Sequence, residues 1–106
     1  MPLDIDEIRD AFFNGRVEWR QHALVRILER GISRADISHI VNEGEIIEEY
    51  TSQAGLPSCL IFGKVKEEVY HAVVGWNDQE KRAYVITVYR PDREHFEQDL
   101  KTRKKR

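Results

Sequence analysis

The side chains of this chain best suited to chemistry are a histidine and two arginines at helical spacing. His22 is the second residue of the segment QHALVRILER (21–30), and Arg26 and Arg30 follow at intervals of four residues. Residues four apart lie on one side of an α-helix, so the three form a polar face beside the apolar stripe of the same segment. A histidine can exchange a proton near pH 7, and guanidinium groups bind phosphate.

A second group of candidate residues lies in segments with strand alternation. His71 stands in VYHAVVGW, and Thr87 and Tyr89 share a face of RAYVITVYR, with Arg90 after them. Together with the helical residues, these groups suffice for RNA cleavage without a metal. One group takes a proton from the ribose 2′-hydroxyl, another protonates the leaving oxygen, and arginines hold the phosphate. A buried or edge position with its polar atoms satisfied is the alternative interpretation of His71.

Other kinds of chemistry have no signature in the sequence. The four histidines show no metal-ligand spacing, and Cys59, the single cysteine, cannot build a zinc site. There is no glycine-rich phosphate loop and no nucleophile–histidine–acid pattern, so we expect no metal and no cofactor. Cys59 is predicted to be a small buried hydrophobic residue.

A different interpretation concerns residues 23–41, where two helical segments flank Gly31. This spacing is typical of a helix-turn-helix that reads DNA, with Arg34, Ser38 and His39 facing the groove. The second segment is acidic at Asp36 and further on, which disfavours contact with phosphates. A plain helical hairpin has the same pattern.

The elements that must position these groups form a single domain over residues 1–106. The pattern predicts helices first, then three or four antiparallel strands separated by turn residues, and a short helix after Pro91: an α+β fold. The three leading helices are expected to span residues 3–14, 21–30 and 34–43, with a brief strand at RVEWR (16–20). Gly31 is the expected C-cap, and Ser33 with Asp36 the expected capping box.

Composition and charge limit the class of protein. The chain has 106 residues, 41% hydrophobic and 34% charged, and a net charge of −2. Residues 1–100 carry twelve Lys and Arg against nineteen Asp and Glu, and a basic tail spans residues 101–106. The acidic body disfavours non-specific duplex binding, whereas the tail suits an acidic partner or a solvated end. With no signal peptide, no membrane span and one cysteine, a cytoplasmic location is expected.

Five segments in order carry a resemblance to a known family: HALVRILERGIS, GEIIEEY, PSCLIFGK, VYHAVV and VITVYRPD. They resemble a family of small bacterial proteins whose members often stand beside a zinc-finger antitoxin of the MqsA (YgiT) type. That family is similar to the RelE-like and MqsR-like toxins, whose fold is a short strand, two helices and an antiparallel sheet. The resemblance covers roughly residues 19–92.

The resemblance implies a toxin of a type II toxin–antitoxin system: an mRNA-cleaving, metal-independent endoribonuclease held inactive by its antitoxin. By position, it implies His22, Arg26, His71 and Tyr89 as catalytic residues. Arg30, Thr87 and Arg90 would bind RNA, either free or on the ribosome. The acidic body departs from the basic surface of ribosome-dependent toxins, and the helix at 3–14 is an addition that would cover the sheet or mediate dimerisation. A non-catalytic interaction module of the same fold is the alternative.

Overall fold

The fold consists of helices packed on one face of a β-sheet. A computed structural model describes residues 3–50 and 55–104, which contain three helices and five strands. The elements are α1 (Ile5–Phe13), β1 (Val17–Trp19), α2 (Gln21–Arg30), α3 (Arg34–Glu43), β2 (Glu45–Tyr50), β3 (Ser58–Val65), β4 (Glu68–Asn77) and β5 (Arg82–Tyr89). The predicted α+β class and the order of the elements before residue 90 are confirmed.

The sheet is mixed, with strand order β1-β5-β4-β3-β2. Strands β2 to β5 form the expected antiparallel meander, but β1 adds a fifth strand, parallel to β5, through the pairs Val17–Ala83 and Trp19–Val85. The prediction of a three- to four-stranded antiparallel sheet was therefore wrong. A three-residue strand has too little alternation to indicate its partner, and no local turn connects it to β5. Beyond Val85, no described strand pairs with this edge of β5.

The helix boundaries follow local capping chemistry. The Asp4 side chain accepts a hydrogen bond from the backbone of Asp6 and caps the start of α1. The helix is about one turn shorter than the predicted helix over residues 3–14. Helix α2 ends at Gly31, which adopts the left-handed conformation (φ 67°) expected of a C-cap. The Ser33 hydroxyl accepts a hydrogen bond from the Asp36 backbone N–H, and the Asp36 carboxylate accepts one from the Ser33 backbone N–H, so the predicted capping box is confirmed.

The hydrophobic core lies between the three helices and one face of the sheet. Fully buried residues come from every layer: Ile8, Ala11, Ala23, Ile37, Ile40, Val41, Cys59, Ile61, Ala72, Val74, Ala83, Val85 and Val88. Gly63 marks the closest approach of α3 to the sheet, because a Cβ there would lie 2.7 Å from Ile40 Cγ2. Cys59 is buried among these residues, as predicted, and burial raises the pKa of its thiol to about 12.

The opposite face of the sheet, here called the open face, carries no helix. Part of it is crossed by residues 91–104, which we call the C-terminal strap. The predicted C-terminal helix is absent from this segment. Asp92 accepts hydrogen bonds from the backbone of Glu94 and His95, and Asp99 accepts from that of Lys101 and Thr102. Such local bonds compete with helical hydrogen bonding.

The strap is not an isolated tail. Phe96, placed by the sequence on a frayed helix, is 3% exposed and pairs with Arg103 in an isolated β-bridge. The last two residues of the predicted basic tail lie outside the described residues, and the preceding four belong to the strap. None of the helices in the described ranges has the length and apolar composition needed to cross a membrane.

Candidate functional site

His22 is exposed in the first turn of α2, beside the open edge of β5. The helix begins at Arg20, whose side chain makes no capping bond and whose backbone N–H donates to the Val85 carbonyl (3.0 Å). This bond ties the start of α2 to the strand. The imidazole of His22 is therefore presented from a fixed point of the backbone rather than from a loop.

His22 lines a cavity of about 540 Å³ at the rim of the open face. The lining residues come from α2, β2, β3, β5 and the approach to β3: Arg20, His22, Tyr50, Gly55, Leu56, Ser58, Tyr84 and Ile86. Apolar side chains form part of the wall, and one imidazole, one guanidinium, two phenols and one hydroxyl supply its polar groups. We call this the His22 cavity.

Arg20 is the cation of the His22 cavity, and Tyr84 holds it in place. The Arg20 guanidinium lies over the Tyr84 ring, 5.3 Å from its centroid. The Tyr84 hydroxyl donates to Glu80 (3.2 Å), and desolvation with the nearby Glu80 charge raises its pKa. Tyr84 therefore offers its ring rather than its hydroxyl, and Arg20 forms no ion pair with the residues that the structure describes, so its charge can bind an anion in the cavity that His22 also lines.

The second phenol of the cavity, Tyr50, is directed towards the acidic neighbour on its own strand. Its hydroxyl donates a hydrogen bond to the Glu48 carboxylate. Desolvation and this bond raise the pKa of Tyr50 to about 12. At neutral pH Tyr50 is thus protonated and already engaged as a donor.

His71 lies on the open face of β4 but is fully buried. Its Nε2 is 2.7 Å from the Leu100 carbonyl and its Nδ1 is 3.3 Å from the Tyr89 hydroxyl. A carbonyl only accepts, so Nε2 carries the proton and Nδ1 of the neutral ring accepts from Tyr89. Burial lowers the pKa of His71, opposed by the bond to Leu100. His71 is a neutral, satisfied residue beneath the strap.

The predicted catalytic set is therefore divided. His71 and Tyr89 are in contact, with ring centroids 5.3 Å apart, whereas His22 lines a cavity to which neither of them contributes. Arg26 forms an ion pair with Glu29 (3.0 Å) on the exposed side of α2, as the spacing allowed, and does not line the His22 cavity. The grouping of these four residues into one site is not what the structure shows.

The three residues predicted to bind RNA are also dispersed. Arg30 is exposed in the last turn of α2. Thr87 is half-buried on β5 opposite Val73. Arg90 lies after β5, 3.7 Å from the carboxylate of Glu68. None of the three lines the His22 cavity.

The surface that a helix-turn-helix would use is partly covered. Ser38 and His39 border a cleft between α1 and α3, together with Phe12 and Phe13 of α1. The Arg34 guanidinium lies over the Trp19 ring, 5.6 Å from its centroid. Helix α1 thus borders the side chains of α3 that would have to contact DNA.

A larger concavity, of about 1,090 Å³, lies between α1 and the end of the sheet. Its lining has more carboxylates than cations, which disfavours a phosphate: Asp4, Glu7, Glu45, Glu49 and Asp78 against Arg9 and Lys81. Among the residues that the structure describes, no three His, Cys, Asp or Glu side chains come together as a group able to hold a metal ion.

The fold and these sites can be compared with known proteins. The model of DUF4258, a domain of unknown function, matches residues 19–90. The chain belongs to the DUF4258 family. No curated protein and no solved structure matches the chain. The matched region includes the last residue of β1, every element from α2 to β5 and all lining residues of the His22 cavity, while α1 and the C-terminal strap lie outside it.

The sequence pointed to His22 but not to its partners in the DUF4258 fold. Arg20 and Tyr84 are the residues that sequence reasoning missed. Arg20 stands two positions before His22, which on a helix would place it on a different face. It joins the cavity because it precedes α2 in an extended conformation (φ −67°, ψ 148°). For Tyr84, the sequence indicated only an aromatic residue in a predicted strand, with no sign that it contacts Arg20.

Proposed function

We propose that this chain is a metal-independent endoribonuclease whose reaction takes place at the His22 cavity. The observation that supports this proposal is that the exposed His22 and Arg20, whose guanidinium lies over Tyr84, line the same cavity of about 540 Å³. His22 takes the proton of a ribose 2′-hydroxyl while Arg20 binds the phosphate. The 2′-oxygen attacks phosphorus, the bond to the 5′-oxygen breaks, and that oxygen takes a proton from water. The products are a 2′,3′-cyclic phosphate and a 5′-hydroxyl end.

In this proposal the biological role is that of a toxin in a type II toxin–antitoxin system, with a zinc-finger antitoxin as its partner. The resemblance of residues 19–92 to the toxin-like family supports this role, and the DUF4258 match covers nearly the same segment. The RelE-like fold belongs to the same proposal. The α+β order of a short strand, two helices and antiparallel strands is what supports it.

The proposal is tested by induced expression in a bacterium of the wild type, His22→Ala and Arg20→Ala. We expect the wild type to arrest growth and cleave transcripts, and each substitution to lower cleavage by purified protein about 100-fold or more. His39→Ala is the matched control, because His39 is an exposed histidine of α3 outside the cavity. Cleavage should persist in EDTA. Harmless growth with all four proteins, and intact RNA in vitro, would refute the ribonuclease.

A non-catalytic interaction module is a second candidate, and one observation favours it. His71, a residue that the resemblance assigned to catalysis, is buried and satisfied by Tyr89 and Leu100. A catalytic histidine must reach its substrate, whereas a structural one need not. The same experiment separates the two functions, since a non-catalytic interaction module cleaves no RNA whether or not His22 is replaced.

A further inference from the structure

The C-terminal strap covers a row of aromatic side chains on the open face. Phe62 of β3, His71 of β4 and Tyr89 of β5 are register partners, so their rings stand side by side across three strands. Phe96 of the strap packs on this row, with its ring centroid 4.7 Å from that of His71. The row is therefore an aromatic platform on which the ring of Phe96 is seated.

Two carboxylates border the aromatic row on strand β2. Glu45 binds Lys101 of the strap (3.1 Å), and Glu48 binds Arg103 (2.9 Å). The two cations also lie over rings: Lys101 over Phe62 and Arg103 over Phe96. An aromatic anchor followed by two cations thus meets an aromatic row bordered by two carboxylates.

The strap binds this surface as a peptide ligand would. It has no helix, its one bridge joins Phe96 to Arg103, and its backbone reaches the sheet side chains through the Leu100 carbonyl bond to His71. Each ion pair is at least partly exposed and contributes little alone. Phe96 is the one strap residue that is nearly completely buried in the described chain. Apart from Phe96 and the Leu100 bond, the strap is held by partly exposed contacts, which is typical of the segments of a fold that open most easily.

We propose that this surface is a docking site for a segment of a partner protein that carries an aromatic anchor followed by two cations, and that the strap occupies the site in cis until it is displaced. The carboxylates decide the class of the partner. Glu45 and Glu48 attract the cations of a peptide and repel the phosphates of a nucleic acid. The strap supplies the recognition pattern: an aromatic residue, then a backbone carbonyl facing His71, then two cations spaced by one residue.

The proposal is tested with the full chain carrying Phe96→Ala and Arg103→Glu, which removes the anchor and opposes Glu48 with a like charge. Hydrogen exchange over residues 91–104 reports whether the strap is released. The probe is a fluorescent peptide of residues 92–104, DREHFEQDLKTRK, added in trans. We expect saturable binding to this variant and about tenfold weaker binding to the wild type, whose site is mostly occupied. A probe with Ser in place of its phenylalanine should bind neither protein.

A second variant guards against loss of folding. Lys101→Glu with Arg103→Glu leaves every buried side chain in place and should also release the strap and bind the probe. Adding Glu45→Gln and Glu48→Gln, which remove the carboxylates without attracting the glutamates of the strap, should weaken probe binding to either variant about tenfold or more. The proposal is overturned if the strap exchanges freely in a folded variant that does not bind the peptide. It is equally overturned if a single-stranded RNA hexamer binds the released face in the peptide's place, or if the wild type exchanges straps to form dimers that ignore the probe.

Discussion

His22 and His71 lie at two places along the open face, and their surroundings differ in almost every respect. His22 is exposed and lines a cavity together with Arg20, whereas His71 is buried, neutral and bonded through both ring nitrogens. The strap makes this difference, because it reaches the row of Phe62, His71 and Tyr89 but does not line the His22 cavity. A histidine in a strand or helix thus becomes a candidate for chemistry or for packing according to what covers it.

The largest expected difference between His22 and His71 is in their contribution to the free energy of unfolding. Replacing His71 with Ala removes a buried ring and leaves the Leu100 carbonyl without its donor, so the free energy of unfolding should fall by about 2–4 kcal/mol. His22→Ala, at an exposed position, should change it by no more than about 0.5 kcal/mol. Urea unfolding of both variants measures the difference. Equal losses would erase the distinction between the two histidines.

A pH effect of intermediate size follows from the burial of His71. Because burial lowers the pKa of His71 from its ordinary value of 6.5, the unfolded chain binds a proton at this residue more readily than the folded chain does. Stability is therefore complete above about pH 6.5 and is lost as pH falls towards the lowered pKa. Urea unfolding at about pH 7.5 and 5.5 should show this loss in the wild type and less of it in His71→Asn. An identical pH dependence in both would contradict the assignment.

A smaller effect is expected from a substitution that narrows the His22 cavity. A Cβ on Gly75 would lie 3.3 Å from Ile86 Cδ1 and 3.7 Å from Leu56 Cβ, and both of these residues line the cavity. Gly75→Ala should cost at most about 1 kcal/mol of stability, since the Ile86 side chain can shift. RNA cleavage should fall about tenfold because the cavity is narrowed. Full activity would show that this part of the cavity is not used.

The smallest expected effect concerns Arg26, which the resemblance placed among the catalytic residues. Its ion pair with Glu29 is exposed, and such pairs contribute about 0.5 kcal/mol or less. Arg26→Ala should therefore leave both stability and RNA cleavage nearly unchanged, as measured in the same assays as His22→Ala. A loss of cleavage as large as that of His22→Ala would show that Arg26 acts in the reaction together with His22, contrary to this prediction.

Local features of the fold were predictable because their causes are local. The Ser33 capping box, the left-handed Gly31 and the alternation around His71 each depend on a few neighbouring residues. The strands β2 to β5 were predictable for the same reason, since turns join them in sequence. The candidate residue His22 was found from its helical spacing alone.

The parallel pairing of β1 with β5, the joining of Arg20 and Tyr84 to His22, and the strap over His71 were not predictable in this way. Each brings together residues far apart in the chain: Arg20 and Tyr84 in one case, His71 and Leu100 in another. The C-terminal segment has the apolar spacing of a helix, yet Asp92 and Asp99 bind its backbone and Phe96 is buried on the sheet. The sequence by itself determined which residues can exchange protons or bind phosphate and which elements carry them. Only the tertiary structure decided which of those residues stay exposed, because burial and pairing depend on contacts between distant segments that no local pattern encodes.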